Sequence, residues 1–332
     1  MESPDIQQLF FQHVKGGLPN HLSLVDEVAE LLNISNDSAY RRIRGEKSIS
    51  FEELQKLCIH YKISLDQFLH LKSDSFIFNS KLKSDGENSF QDWIENILGQ
   101  LQLFNSYEKK HMSFLMKDIP PYVHFLIPEL ARFKFFFWMK SILHYKSLVG
   151  VKFTLDDERY DKYEIIAKKI IDLYMKVPMT EIWNVESIES TLRQIAFYRD
   201  AGSFKNPSDV NLLYTKVEEL INHLERQAEH GVKFGIGQEP AANASEYRMY
   251  VNELILGDNT IQAELDGTRI TFLNYGVLFI VHTRDERFNN VMSENLDNLI
   301  KKSMMISKSG EKERVRFFNQ LRERIYEYRD KK

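Results

Sequence analysis

The chain has 332 residues, 43% hydrophobic and 28% charged, a balance that fits a folded, water-soluble protein of two or three domains. A net charge of -4 excludes a protein that coats nucleic acid by bulk positive charge, so any such contact has to be local. The single cysteine, Cys58, excludes a disulfide framework within the chain and fits a reducing compartment, expected here to be the bacterial cytoplasm.

The N-terminal "MESPDIQQLF" lacks the basic and apolar blocks of a secretory signal. Residues 1 to about 71 form a run of short helical patterns. In "HLSLVDEVAELLN", Ser23 is a plausible N-cap, and Leu24, Val25, Val28, Ala29, Leu31 and Leu32 give an amphipathic helix. Asn33 tolerates the left-handed conformation that ends a helix, Ile34 returns to the core, and Ser35 can cap a third helix. That helix, "NDSAYRRIRG", is stopped by Gly45. Ala39 and Ile43 are four residues apart on one side, a thin apolar keel. Asp37, Ser38, Arg41 and Arg44 point away from it, with Tyr40 and Arg42 on the flanks. In "SISFEELQKLCIHYKIS", Ser50 and Glu53 have capping-box spacing, and Leu54, Leu57, Cys58 and Tyr61 supply the buried stripe. A fifth short helix starts after Ser64, with Leu65, Phe68 and Leu69 inward. Five short helices with a tight turn between the second and third read as a helix-turn-helix domain.

Ala29, Asn33, Ile34-Ser35, the short basic helix, Gly45 and "SFEELQKLCIHYKISLDQF" together resemble the phage-repressor (Xre/Cro-type) helix-turn-helix family. "ISNDSAYRRIRGEKSISFEEL" is similar to a bacterial subgroup related to the BetR-type regulators. The resemblance covers residues 20 to 71. Asn33 stands where the family usually has a turn glycine, and Ala39 where it usually has a branched apolar residue. The resemblance implies a five-helix fold, sequence-specific binding of double-stranded DNA through the third helix, residues 36–44, in the major groove, and control of transcription. Residues 1–72 hold eight Lys or Arg and ten Asp or Glu, so the positive field is focal, at 41–47. Arg41 and Ser38 are assigned to base edges, with Asp37 also reaching the groove. Arg42, Arg44, Lys47, Tyr40 and Ser35 are assigned to phosphates. A homodimer would double those contacts. The bland alternative is a solvated helix face.

The stretch 72–89 is rich in Ser, Asp, Asn and Lys and reads as a linker, with "FIF" at Phe76–Phe78 able to dock or to pair as a short strand. From 90 to 231 the pattern is mostly helical and is assigned to dimerisation or sensing. Its most apolar part, Phe133 to Phe153, is broken by Lys134, Lys140, His144 and Lys146, so it reads as a buried helix and not a membrane span. The aromatic residues Phe133, Phe135, Phe136, Phe137, Trp138 and Tyr145 could line a ligand pocket, but core packing explains them more simply. His223 and His230, seven apart on one helix, lack metal-pair spacing and read as solvent-exposed. No HExxH, CxxC or GxSxG occurs, so no catalytic site, metal or cofactor is expected.

Residues 232–332 are expected to hold an antiparallel meander of about four strands, with turns at Gly257, Asp266-Gly267 and Asn274, and then helices. Ser307 or Ser309 is read as the cap of the last helix. The final stretch 299–332 holds eleven basic and five acidic residues. Lys301, Lys302, Arg314 and Arg316 could contact an anion, but a solvated face is preferred. The fold class is thus mainly α with a small antiparallel sheet (α+β). The expected function is that of a DNA-binding transcriptional regulator whose C-terminal region oligomerises or senses a small-molecule or peptide effector. One rival is a peptide- or metabolite-binding receptor that uses the helix-turn-helix fold for protein contacts. The other is an enzyme fused to a DNA-binding module.

Overall fold

The computed structural model describes residues 6–18, 22–61, 63, 65–68, 76–80, 86, 88–254 and 257–331. The chain divides into two compact units, Met1–Ile77 and Phe78–Lys332. Most of the stretch read as a linker lies outside the described residues.

The first unit is helical: α1 (Ile6–Gly17), α2 (Leu24–Leu32), α3 (Asn36–Ile43), α4 (Phe51–Tyr61) and α5 (Leu65–Phe68). Its core is built from Phe10, Phe11, Val14, Val28, Ala29, Leu32, Ala39 and Leu57. Ser23 caps α2, accepting from the Asp26 amide. Asn33 ends it at φ 54°, with the Ile34 amide donating back to the Ala29 carbonyl at 3.0 Å. Asparagine therefore takes the left-handed turn that the family usually gives to glycine.

The second unit is α+β, as the composition of its elements predicts, but the sheet is larger than a meander. Its seven strands run in the order β6-β5-β4-β1-β2-β3-β7. β1 (Lys110–Met116), β2 (Met179–Trp183) and β3 (Tyr247–Val251) are parallel neighbours. β4 (Thr260–Leu265), β5 (Thr268–Asn274) and β6 (Ile280–Thr283) form an antiparallel meander of three strands where about four were expected, attached to β1 through β4; the first expected strand, β3, pairs parallel with β2 instead. The turn at Asp266-Gly267 has both residues at positive φ, 47° and 86°. β7 (Met304–Met305) closes the far edge against β3.

β1 and β2 arise within 90–231, which the pattern presents as helical, so one sheet draws strands from both of the regions expected to be separate. The reason is burial. All five residues of β2 are buried, and a strand covered on both faces lacks the alternation that marks a strand in sequence. Parallel strands need crossovers, and helices supply them. Between β1 and β2 lie α7 (Pro121–His124), α8 (Pro128–Phe137), a π-helical turn (Trp138–Ile142) and α9 (Asp161–Tyr174). Between β2 and β3 lie α10 (Glu189–Asp200) and α11 (Ser208–His230). α6 (Ser89–Ser106) precedes β1, and α12 (Glu286–Lys301) and α13 (Glu311–Asp330) complete the unit. Just after Phe76–Phe78, Asn79 bridges to His282, and the Phe78 ring meets Phe288 edge-on.

The core of this unit holds the aromatic run, with Phe133, Phe135 and Phe136 fully buried. It also holds a carboxylate. Glu181 on β2 accepts from Trp183 Nε1 (2.7 Å), Tyr247 Oη (2.5 Å) and Tyr174 Oη (3.3 Å). The buried Lys233 lies over the Tyr174 ring, and burial lowers its affinity for a proton while the Glu181 charge opposes that.

Three further expectations are corrected. His223 is buried, 5% exposed, with Nε2 on the Phe234 carbonyl at 2.8 Å, because the loop after α11 folds back over it; His230 is exposed. Arg314 is not on a solvated face but buried, its Nη1 donating to the Ile306 carbonyl at 3.0 Å. Gly310, not a serine, precedes α13, and the Ser307 hydroxyl accepts from the Met249 amide. No helix among the described residues is long and apolar enough to cross a membrane.

Candidate nucleic-acid interface

α3 is set by its two ends and its keel. The Ser35 hydroxyl accepts from the Ser38 amide at 3.3 Å. At the other end Gly45, at φ 76°, donates to the Arg42 carbonyl while the Glu46 amide donates to the Arg41 carbonyl. This pair of bonds is the Schellman arrangement and stops the helix sharply. Ala39 is fully buried and Ile43 packs beside it, so one edge of α3 faces the core.

Arg42 departs from the expectation of a phosphate contact, for it is only 6% exposed. Its Nη2 and Nε donate to the two carboxylate oxygens of Glu53 at 2.7 and 3.0 Å, and Nη1 donates to the Ser38 carbonyl at 3.2 Å. The reason lies in helix geometry: at about 100° per residue, Arg42 is only about 60° from the Ala39 direction, toward α4 and not toward solvent. Glu53 serves twice, because its carboxylate also accepts from the Ser50 amide while the Ser50 hydroxyl accepts from the Glu53 amide. The hydrogen bond from Arg42 holds the Glu53 carboxyl below its usual range. The capping box is therefore extended into a clamp between α3 and α4.

The remaining assigned residues lie on the outer side. Ser35, Asp37, Tyr40, Arg41, Arg44 and Lys47 are exposed, and Ser38 is half-buried. Arg44 lies over the Tyr40 ring, 5.6 Å from its centroid. Glu46 lies 4.0 Å from Arg41 and 3.3 Å from Arg44. Both arginine side chains are more than half exposed in these pairs, so they are weak, and a phosphate or a base edge competes with Glu46 at little cost.

Sequence patterning missed the residues that hold the loop after α3. Gln7 on α1 donates through Nε2 to the carbonyls of Arg42 (2.7 Å) and Lys47 (2.8 Å) and accepts from the Ile49 amide (3.1 Å). Gln8 donates to the Arg44 carbonyl at 2.7 Å. Asn36 donates to Asp26 at 2.8 Å and ties the start of α3 to α2. These partners are remote in sequence, and no local spacing announces them.

Residues 18–68 match a family model described as helix-turn-helix, of the Xre/Cro type. The N-terminal unit is a helix-turn-helix domain of the DNA-binding kind. No curated protein and no solved structure matches the chain.

The larger unit holds the other notable site. A cavity of about 1000 Å³ is lined from α6, β1, the segment before α7, the π-helical turn, α10 and the meander. Phe137 and Trp138 are on its wall, so the aromatic stretch packs the core and lines a pocket at once. Among the described residues, no group of three or more His, Cys, Asp or Glu is placed to hold a metal ion.

Proposed function

We propose that this protein is a sequence-specific DNA-binding transcriptional regulator that places α3 in the major groove. The observation that carries the reading is the division of labour on α3. Arg42 is consumed in the clamp to Glu53, while Arg41, Arg44 and Lys47 face solvent beside Ser38 and Asp37. Arg41 and Ser38 read base edges, Asp37 reaches the groove, and Arg44, Lys47, Tyr40 and Ser35 contact the backbone. The protein acts as a homodimer, because the focal charge of one copy is small and two half-sites double the phosphate contacts. The unit Phe78–Lys332 serves dimerisation or effector sensing.

The test compares Arg41→Ala with the wild type on a footprinted operator fragment and on random DNA. Discrimination should fall by about 1–3 kcal/mol, most of it lost from the operator. Equal loss on both DNAs would overturn the base-reading role of Arg41.

A further inference from the structure

Besides the exposed Asp92 and Glu95, the cavity of the larger unit is lined by two residues of opposite charge withdrawn from solvent, Lys134 and Asp118, which form no ion pair with each other. Lys134, on α8, is 3% exposed. Its ammonium donates to Thr191 Oγ1 (2.9 Å) and Gln194 Oε1 (2.6 Å), both neutral, and among the described residues it makes no ion pair. Thr191 is fixed in turn, because its hydroxyl meets His124 Nε2 at 2.9 Å while His124 Nδ1 faces the Pro120 carbonyl at 3.3 Å. A neutral His124 with its proton on Nδ1 satisfies that chain, and burial beside Lys134 keeps it neutral. Thr191 can therefore accept from Lys134, and two of the three ammonium protons are spoken for.

Asp118, also on the cavity wall, is half-buried, and its backbone amide is held by Asn259. It is near enough to feel the Lys134 charge but forms no ion pair with it. The hydroxyls of Ser89 and Tyr122, on lining residues, have no hydrogen-bond partner among the described residues. The rest of the wall is largely apolar, from Trp93, Phe104, Phe114 and Phe272. Leu103 and Val277, about half exposed, stand at its rim.

We propose that this cavity binds a small molecule with a zwitterionic head of the amino-acid type on a large apolar body, its carboxylate on Lys134 and its ammonium on Asp118. The inference rests on reading this unit as the sensing part, but it stands or falls by ligand binding alone, independent of what α3 does on DNA. Among the described residues neither charge has a direct ion-pair partner in the cavity: Asp118 has the Ser190 hydroxyl and the fields of Lys134 and Lys117, with no ion pair to either, and a zwitterion would supply a direct partner to both. The volume exceeds that of a free amino-acid side chain, so the body is an extended chain or ring system that buries against the aromatic wall.

The test uses the full chain and three probes with the same alkyl tail: α-aminooctanoate, octanoate and octylamine. Trp93 and Trp138 on the wall report occupancy by fluorescence. α-Aminooctanoate should saturate the signal with at least about tenfold higher affinity than either single-charge probe. Asp118→Asn should bring α-aminooctanoate down to the level of octanoate and leave octanoate no weaker. Lys134→Met should weaken both carboxylates, with its thermal melt showing that it folds; if it does not fold, the three probes and Asp118→Asn decide. Octanoate or octylamine binding as tightly as α-aminooctanoate, or no saturation by any probe to about 10 mM, would overturn the proposal.

Discussion

Arg42 in the N-terminal unit and Lys134 in the larger unit are both cations withdrawn from water, 6% and 3% exposed, and they are held in opposite ways. Arg42 has a carboxylate squarely across its guanidinium and a carbonyl on its remaining edge. Lys134 has a hydroxyl and an amide oxygen. A buried cation matched in charge and geometry is scaffold: it fixes two helices and leaves nothing to spare. A buried cation with neutral partners keeps an unmet demand for charge, and that demand is what a ligand can answer.

The largest expected effect comes from giving Arg42 the condition of Lys134. Glu53→Ala removes the carboxylate, leaves the guanidinium buried and unmatched, and breaks the cap of α4 at the same time. The loss should be about 3 kcal/mol in the first unit, read from urea unfolding. The same pair makes this unit acid-sensitive. Glu53 has its folded pKa lowered, so its contribution is complete above its unfolded pKa and fades as pH falls through the folded one. Glu53→Ala should lose that dependence; an unchanged acid limb would mean that the clamp is not what the geometry says.

Lys134 offers the converse. Burial pushes it down to about 7 from an ordinary 10.5. Between those values the unfolded chain binds more protons than the folded one, so stability should rise with pH across the window from about 7 to 10.5. Lys233 is shifted in the same direction, so the measured quantity is the difference between wild type and Lys134→Met, which removes only the first contribution. Gln194→Glu then sharpens the comparison: it puts a carboxylate where the 2.6 Å amide contact now is and turns Lys134 into a second Arg42. The rise with pH should flatten toward that of Lys134→Met. A variant that keeps the full rise would show that Lys134 is not the titrating group.

The two cations also divide what sequence could and could not tell. The five helices, the Ser23, Ser35 and Ser50 caps, the Asn33 and Gly45 stops and the Ala39–Ile43 keel were legible because each rests on neighbours within a few residues. Arg42 was misplaced because a helical wheel assigns direction but cannot see Glu53 eleven residues on, across a turn. Gln7 was invisible for the same reason at longer range. In the larger unit the three meander strands were legible from their turns, whereas β2 was hidden by burial on both faces and β1 by the same burial in its second half. Lys134 appeared in sequence only as an interruption of an apolar run. Its meaning depends on Thr191, Gln194 and Asp118, which the crossovers of the sheet bring together.

A smaller effect separates the outer arginines from the inner one. Among the described residues the Arg44 side chain meets Glu46 and the ring and hydroxyl of Tyr40, all at the surface, so Arg44→Ala should leave urea stability within about 0.5 kcal/mol. On DNA it should weaken binding about equally for operator and random fragments and lower the salt slope by about 1, the mark of one lost phosphate contact. A stability loss as large as that of Glu53→Ala would place Arg44 in the scaffold with Arg42.

The smallest expected effect concerns Asn33. Its φ of 54° is the left-handed conformation in which a Cβ is strained, and asparagine tolerates it better than most residues. Asn33→Gly relieves that strain in the folded state but gives the unfolded chain more freedom to lose, so the two contributions oppose and the net change should stay within about 1 kcal/mol. Asn33→Val has no such relief and should cost about 1–2 kcal/mol, because a branched side chain is excluded from that conformation. If glycine were as damaging as valine, the asparagine side chain rather than its backbone would be holding the turn between α2 and α3. The setting of the recognition helix would then depend on a hydrogen bond, not on a conformation.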